Sequence, residues 1–160
     1  MANRIIIMAI KPEWAKQLYG GRKNVEFRKS SPPVGSIVFL YESAPVKAVT
    51  GCFMVSAVLY AAASYVWGVA RKLESNWKVG TVKREDLFRY AGGANGRCCA
   101  ILTKLPVRFQ ESERVRLEAF AVRPPQSWKT INERRKNENL LEIKLLNTLK
   151  TAISIEVPHA

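Results

Sequence analysis

Residues 4–28 constrain the fold more than any other part of the chain. They begin with the apolar run Ile5–Ile10, which predicts a strand that is buried on both faces. Pro12 suits the first turn of a helix, where a missing N–H costs nothing, and the pair Gly20-Gly21 suits the end of that helix. Residues 24–28, NVEFR, alternate in polarity as a half-buried strand does. We therefore predict a strand, a helix, a tight turn and a second strand in close succession.

The second of these strands has a charged face. Its alternation directs Val25 and Phe27 toward a core, and Glu26 and Arg28 toward the opposite side. A carboxylate in this position could accept a hydrogen bond from a base amine, while the neighbouring cations could hold phosphate. The alternative interpretation is a structural ion pair on a solvated strand face. The charged cluster comprises Lys11, Arg22, Lys23, Glu26 and Arg28.

Short strands with inserted helices follow along the rest of the chain. Gly51 lies inside an apolar run and indicates a bulge where a barrel bends. The composition predicts a mixed β-barrel with peripheral helices. Further strands are predicted over residues 36–42, 46–59, 97–109 and 115–122, and helices over residues 61–76 and 83–90.

The last part of the chain, residues 132–160, differs from the barrel region 1–131 and predicts a separate helical extension. It is charged at first and rich in leucine later. Such a stripe is typical of a helix that docks on its own domain. The alternative role is contact with a second copy of the chain or with a protein partner. The stripe consists of Leu141, Leu145, Thr148 and Ala152, widened by Leu146, Leu149 and Ile153.

The charge balance favours a polyanionic partner. Lys and Arg number 26 against 13 Asp and Glu, so the formal net charge is +13, and the pI is about 10.0. Nucleic acid is the commonest partner of such a surface, so we expect RNA or a nucleotide as the ligand. The alternative is a basic surface that serves only solubility.

Several classes of site are disfavoured by the residues that the chain lacks. His159 is the only histidine, which argues against Ser-His-Asp and Cys-His catalysis and against histidine-rich metal sites. The chain has three cysteines and no C-x-x-C motif, as expected in a reducing cytoplasm. No apolar stretch approaches the roughly 20 residues of a membrane helix. We therefore expect a cytoplasmic protein with no membrane segment, no metal and no cofactor.

Three segments together resemble the ASCH domain family. The segment IKPEWAKQLYGGRKNVEFRK resembles the family's opening pattern, roughly I-K-P-x-[YW]-A-x-x-I-x-x-G-x-K-x-x-E-x-R. GGANGRCCAI resembles the strand after the family's Y-x-G-G turn, and AVRPPQSWKTI resembles its Pro-Pro-Gln turn. The resemblance spans about residues 4 to 131. It implies an α+β fold, a PUA-like mixed β-barrel, with a nucleic-acid or nucleotide ligand in a cleft at the barrel mouth.

One branch of the ASCH family implies an enzymatic alternative. That branch removes acetyl groups from acetylated cytidine nucleosides and carries a motif similar to G-x-K-T-x-T-x-R. Gly21, Lys23 and Arg28 match it, but Asn24 and Glu26 stand at its two threonines, so the nucleophile is absent here. A ribonuclease that uses Lys23 with Tyr41 or Ser43 is a further alternative. Whether the protein is an enzyme stays open; the catalytic candidates are Lys23, Glu26 and Tyr41.

The predicted binding site combines the charged cluster with aromatic and amide side chains. Tyr41 near a strand end is a candidate to stack on an unpaired base, as are Trp14, Tyr65, Trp67 and Trp128. Gln126 follows two prolines on a stiff backbone and suits base-edge hydrogen bonding; alternatively it caps a helix that begins near Ser127. The nucleic-acid-binding candidates are Lys11, Trp14, Arg22, Lys23, Glu26, Arg28, Tyr41, Ser43, Arg123 and Gln126.

Overall fold

A six-stranded sheet curled into a half-barrel forms the frame of the molecule in the computed structural model, which describes residues 4–156. The strands lie in the order β2-β5-β4-β3-β1-β6. β1 and β3 are parallel, while every other neighbouring pair is antiparallel. The strands are β1 Ile5–Ile10, β2 Val25–Arg28, β3 Ile37–Glu42, β4 Ala48–Ala62, β5 Arg97–Arg108 and β6 Trp128–Thr130. The mixed α+β barrel-like fold predicted from the sequence is confirmed.

Within residues 4–156, four α-helices cover the sheet: α1 Pro12–Tyr19, α2 Ala63–Lys72, α3 Arg84–Ala91 and α4 Lys136–Glu156. α1 directs Ala15 and Leu18 into a core formed by β1, β3, β4 and β5. α2 and α3 pack over a second core that contains Val25 and Phe27, so the predicted inward side of β2 is confirmed. No helix within residues 4–156 is long and apolar enough to cross a membrane.

α4 docks on the face of the sheet opposite to α1. Leu141 and Leu145 are fully buried in one core with Phe39 and Phe109. Thr148 is also buried, and Leu149 and Ala152 pack against the same core. Leu146 and Ile153 remain 38% and 45% exposed, so these two residues of the predicted stripe face away from the barrel.

Hydrogen bonds join the two edges of the curled sheet, along a line that we call the seam. From the β2 edge, Arg28 donates to the Ala9 carbonyl at 2.7 Å and to Ser127 Oγ at 3.3 Å. From the β6 edge, Trp128 Nε1 donates to the carbonyl and the hydroxyl of Ser30, at 3.3 and 3.2 Å. Side chains therefore close the half-barrel where no strand pairing does within the described residues.

The irregularity predicted at Gly51 is present. The register of β3 against β4 shifts between Leu40 and Tyr41, opposite Gly51 and Val49. A β-carbon at Gly51 would collide with the Val107 carbonyl oxygen, so the close approach of β5 requires glycine here.

Two predicted elements are wrong. Residues 115–122 are not a strand: Val115 makes an isolated bridge to Val49, and the chain then forms a 3₁₀ turn, Leu117–Phe120. No helix begins near Ser127, because the chain there pairs with β1 as strand β6. In both places long-range pairing and turn geometry override the local preference. His159 lies outside the described residues.

Candidate functional site

A cavity of about 770 Å³ opens at the seam, between α1, α3 and the edges of β1 and β2. Its wall mixes charged, hydroxyl-bearing and aromatic side chains. Such concave sites with a few convergent polar groups are the usual places for small ligands. The lining residues are Ala9, Ile10, Lys11, Glu13, Trp14, Lys23, Glu26, Phe27, Arg28, Ser43, Thr81, Val82, Asp86, Leu87, Tyr90, Gln126 and Ser127.

A buried ion pair contributes to this wall. Lys23 Nζ lies 3.2 Å from Glu26 Oε1, and the two side chains are only 1% and 8% exposed. Oε1 also accepts the Phe27 N–H at 3.1 Å. Neither Lys23 Nζ nor Glu26 Oε2 has a hydrogen-bond partner among the described residues. Buried polar atoms are nearly always hydrogen-bonded, so this pair has unused capacity toward whatever occupies the cavity.

Lys23 follows the predicted glycine turn, and packing by a distant segment buries it. Gln17 on α1 makes two hydrogen bonds to Thr81, at 2.8 and 2.9 Å, and the Lys23 backbone forms an isolated bridge with Val79. The segment 76–82 therefore packs over the glycine turn. Burial lowers the pKa of the Lys23 ammonium; Glu26 opposes this shift, and Arg28 adds to it. The ammonium does not extend from the turn into solvent.

Arg28 is held rigidly at the edge of the cavity. Besides its two seam hydrogen bonds, its Nε lies 3.9 Å from Glu26 Oε1, and its side chain is 12% exposed. The guanidinium thus has a fixed position. A planar guanidinium that is fixed in this way can donate hydrogen bonds selectively to a planar acceptor group.

α3 and the loop before it form a wall of the cavity that the sequence did not predict. Asp86 and Tyr90 are four residues apart and share a face of α3, with Leu87 beside them. The Lys29 N–H donates to the Tyr90 hydroxyl at 3.1 Å, and Lys29 Nζ lies 5.7 Å from the centre of that ring. In the sequence, the i, i+4 spacing of Asp86 and Tyr90 indicates that they share a helix face. It does not indicate that this face turns toward β2.

Seven of the predicted site residues lie together in the wall of the cavity: Lys11, Trp14, Lys23, Glu26, Arg28, Ser43 and Gln126. Three others lie elsewhere. Arg22 and Arg123 are exposed outside the cavity, and Tyr41 packs against the core beneath α4, on the other face of the sheet. Tyr65 is exposed on α2, whereas Trp67 and Trp128 pack against cores.

The charges that line the cavity balance one another. Lys11, Lys23 and Arg28 face Glu13, Glu26 and Asp86. The large positive excess of the chain therefore lies outside the cavity. A neutral planar group suits such an interior better than a phosphate, which the outer cations would attract.

Comparison with known proteins identifies the family. The model of the ASCH domain matches residues 8–95, more than half of the chain. The chain belongs to the ASCH domain family. The matched segment contains α1, β2 and α3 of the cavity wall, while Gln126 and Ser127 come from beyond it. No curated protein matches the chain.

Solved structures of ASCH proteins share the fold. The ASCH protein from Zymomonas mobilis has a TM-score of 0.71 at 21% identity, covering 89% of this chain and 95% of that one. Its tyrosine-to-phenylalanine variant gives a TM-score of 0.70 at 21% identity, covering 89% and 99%. Its serine-to-alanine variant gives 0.69 at 22%, covering 89% and 96%. At this identity the likeness establishes the fold.

Proposed function

We propose that this ASCH-domain protein binds single-stranded RNA and holds one base in the cavity at the seam. The observation that carries the proposal is a charge-balanced cavity within a chain of net charge +13. ASCH domains have a PUA-like fold that is generally RNA-binding, which agrees with this assignment. The interior would hold the base, and the basic exterior would hold the phosphates.

The cavity offers both stacking and edge contacts to a base. Trp14 of α1 and Tyr90 of α3 both line the cavity and supply aromatic surface, and base–aromatic stacking is worth about 1–3 kcal/mol per base. Glu26 Oε2 has no donor among the described residues, so it can accept a hydrogen bond from an exocyclic amine. Gln126 at the rim adds an amide that can both donate and accept.

Binding of four homopolymer RNAs in a filter assay at increasing salt tests the proposal. The affinity should fall steeply with salt, because each neutralised phosphate releases counterions. Glu26→Gln keeps the shape of the side chain but replaces the two acceptor oxygens of the carboxylate by one acceptor and one donor of an amide. Because the hydrogen-bonding pattern changes, the order of preference among bases should change. Glu13→Gln is the matched control, since it removes one negative charge from the same cavity at an exposed position. Absence of binding at low salt would refute the proposal.

A hydrolase acting on RNA or on a modified nucleoside is the second candidate. The observation that favours it is Lys23, a cavity residue whose pKa burial lowers, as a lysine general base requires. The hydroxyls of Ser43 and Ser127 line the same cavity. Incubation of the protein with RNA and with an acetylated cytidine, followed by product analysis, separates the candidates. Turnover that is lost in Lys23→Met, under conditions in which circular dichroism shows that the variant is folded, would establish the hydrolase.

A further inference from the structure

We propose that residues 76–82, which we call the strap, reserve Lys23 for the base in the cavity and keep the phosphates of the RNA away from it. This inference rests on the proposed function, because it assigns a specificity role within the same site. A lysine in an open turn would attract any phosphate. Lys23 lies beneath the strap, is 1% exposed and lines the cavity, so a ligand reaches it from the cavity side.

Two amide side chains hold the strap in place. Gln17 of α1 donates to the Thr81 hydroxyl at 2.8 Å and accepts the Thr81 N–H at 2.9 Å. Asn24 donates to the Asn76 carbonyl and accepts the Lys78 N–H, both at 2.7 Å. The Asn24 N–H also donates to the Lys78 carbonyl at 2.8 Å. These hydrogen bonds fix the strap near both of its ends.

Gly80 allows the strap to approach α1 closely. Its φ is +64°, a left-handed conformation that glycine adopts without strain. A β-carbon at this position would collide with the side-chain oxygen of Gln17, the atom that accepts the next N–H of the strap. The contact between α1 and the strap therefore requires both the amide of Gln17 and the glycine opposite it.

The strap is a cover and not a part of the core. None of its seven residues is buried; Trp77, Val79 and Val82 are half-buried at the edge of the core beneath α2 and α3, and the other four are exposed. Segments with few buried apolar contacts open more readily than core strands do. The hydrogen bonds made by Gln17 and Asn24 therefore contribute much of the stability that keeps Lys23 covered.

Covering Lys23 changes the ligand group that this lysine can bind. Its ammonium faces Glu26 in the cavity wall, whereas Arg22, the cation before it in the chain, is exposed outside the cavity. A phosphate on the basic exterior can thus meet Arg22, and an acceptor atom of a base inside the cavity can meet Lys23. Phosphate contacts carry no sequence information, and base contacts do. The strap thereby makes Lys23 a determinant of base preference.

Amine labelling followed by mass spectrometry tests the cover without RNA. Lys16 on α1 is exposed and serves as the internal reference. In the parent protein, Lys23 should react far more slowly than Lys16. Gln17→Ala should raise the labelling rate of Lys23 by roughly 5- to 150-fold, the effect of losing two hydrogen bonds, and leave the rate of Lys16 unchanged.

Three further variants distinguish opening of the strap from general unfolding. Gly80→Ala should expose Lys23 as Gln17→Ala does, because both changes disturb the same contact. Gln17→Glu should keep Lys23 covered, because a carboxylate still accepts the Thr81 N–H and the Thr81 hydroxyl can turn to donate. Gln110→Ala removes an exposed amide elsewhere in the chain and is the matched control. Labelling is done under conditions in which circular dichroism shows each variant to be folded.

RNA binding by the same variants tests the consequence for specificity. With Lys23 uncovered in Gln17→Ala, one more phosphate contact should form. The slope of log affinity against log salt should therefore steepen by about 0.7, the contribution of one contact on a single strand, and the preference among the four homopolymers should decrease. Gln110→Ala should match the parent in both measurements.

Three results would overturn the inference. The first is a parent in which Lys23 reacts as fast as Lys16, and the second is Gln17→Ala and Gly80→Ala variants in which Lys23 stays protected. The third is a variant with Lys23 uncovered that keeps the salt slope or the base preference of the parent. Failure of the parent to bind RNA at low salt would instead refute the proposed function, and the labelling rates would still show whether the strap covers Lys23.

Discussion

Lys23 is the residue on which the chemistry of the cavity depends. A lysine that is 1% exposed is costly to keep charged, and Glu26 is the carboxylate within ion-pair distance. Breaking a buried pair usually destabilises a protein more than replacing both partners by apolar residues, because one charge is left without its partner. Mutation of one partner or of both can therefore distinguish the contribution of the pair to stability from its contribution to ligand binding.

We predict that Lys23→Met lowers the free energy of unfolding by about 3–5 kcal/mol, because Glu26 would remain buried with only its longer contact to Arg28, at 3.9 Å. The double change Lys23→Met with Glu26→Leu should recover most of this loss. Urea unfolding of the parent, both single variants and the double variant measures the coupling between the two residues. Additive losses would contradict a buried ion pair.

The pH dependence of stability gives an independent measure of the same lysine. Burial lowers the pKa of Lys23 below its ordinary value of 10.5, so between the two values the unfolded chain binds more protons than the folded one. The stability that depends on Lys23 should therefore rise with pH through that window and fall as the pH decreases. Lys23→Met should lack this slope. Measurements below about pH 8 avoid the ordinary titration ranges of Cys98, Cys99 and Tyr19, whose pKa values burial raises.

At the scale of the secondary-structure element, α4 is part of the barrel's core. Leu145 is fully buried with Phe39 and Phe109, whereas its neighbour Leu146 is 38% exposed. We predict that Leu145→Ala costs about 2–5 kcal/mol, the usual range for a cavity-forming change. Leu146→Ala, a chemically identical control, should stay within about 0.5 kcal/mol. Chemical unfolding of both variants decides; equal effects would mean that α4 does not dock through its predicted stripe.

The sequence predicts an element well where the determining contacts are local. The opening strand–helix–turn–strand unit follows from an apolar run, a proline and two glycines. Together with the family motif, this unit predicted Lys23, Glu26 and Arg28 as site residues, and all three line the cavity. The burial of Lys23 was not predictable, because the covering segment 76–82 lies far along the chain. Strand β6 was missed for the same reason, since β1 determines it through pairing. The contribution of α3 to the cavity likewise depends on packing between distant segments.

At the scale of the whole molecule, Cys98 and Cys99 report on global unfolding. Both are buried in β5, the strand between β2 and β4, and burial raises the pKa of each thiol. Thiolates are the reactive species, so neither residue should react with a thiol reagent in the folded protein. We predict that their labelling rate in increasing urea follows the unfolding curve measured by circular dichroism. Rapid labelling without urea would show that β5 opens locally.

The pairing of β1 with β6 has a consequence for biosynthesis. β1 leaves the ribosome before the other five strands of the sheet, yet one of its edges pairs with residues 128–130. At synthesis rates of about 5–20 residues per second, that edge waits many seconds for its partner. During this time an apolar strand with an open edge can pair with another chain. Nascent chains that stop before β6 should therefore depend on chaperones, whereas chains that extend past β6 should not.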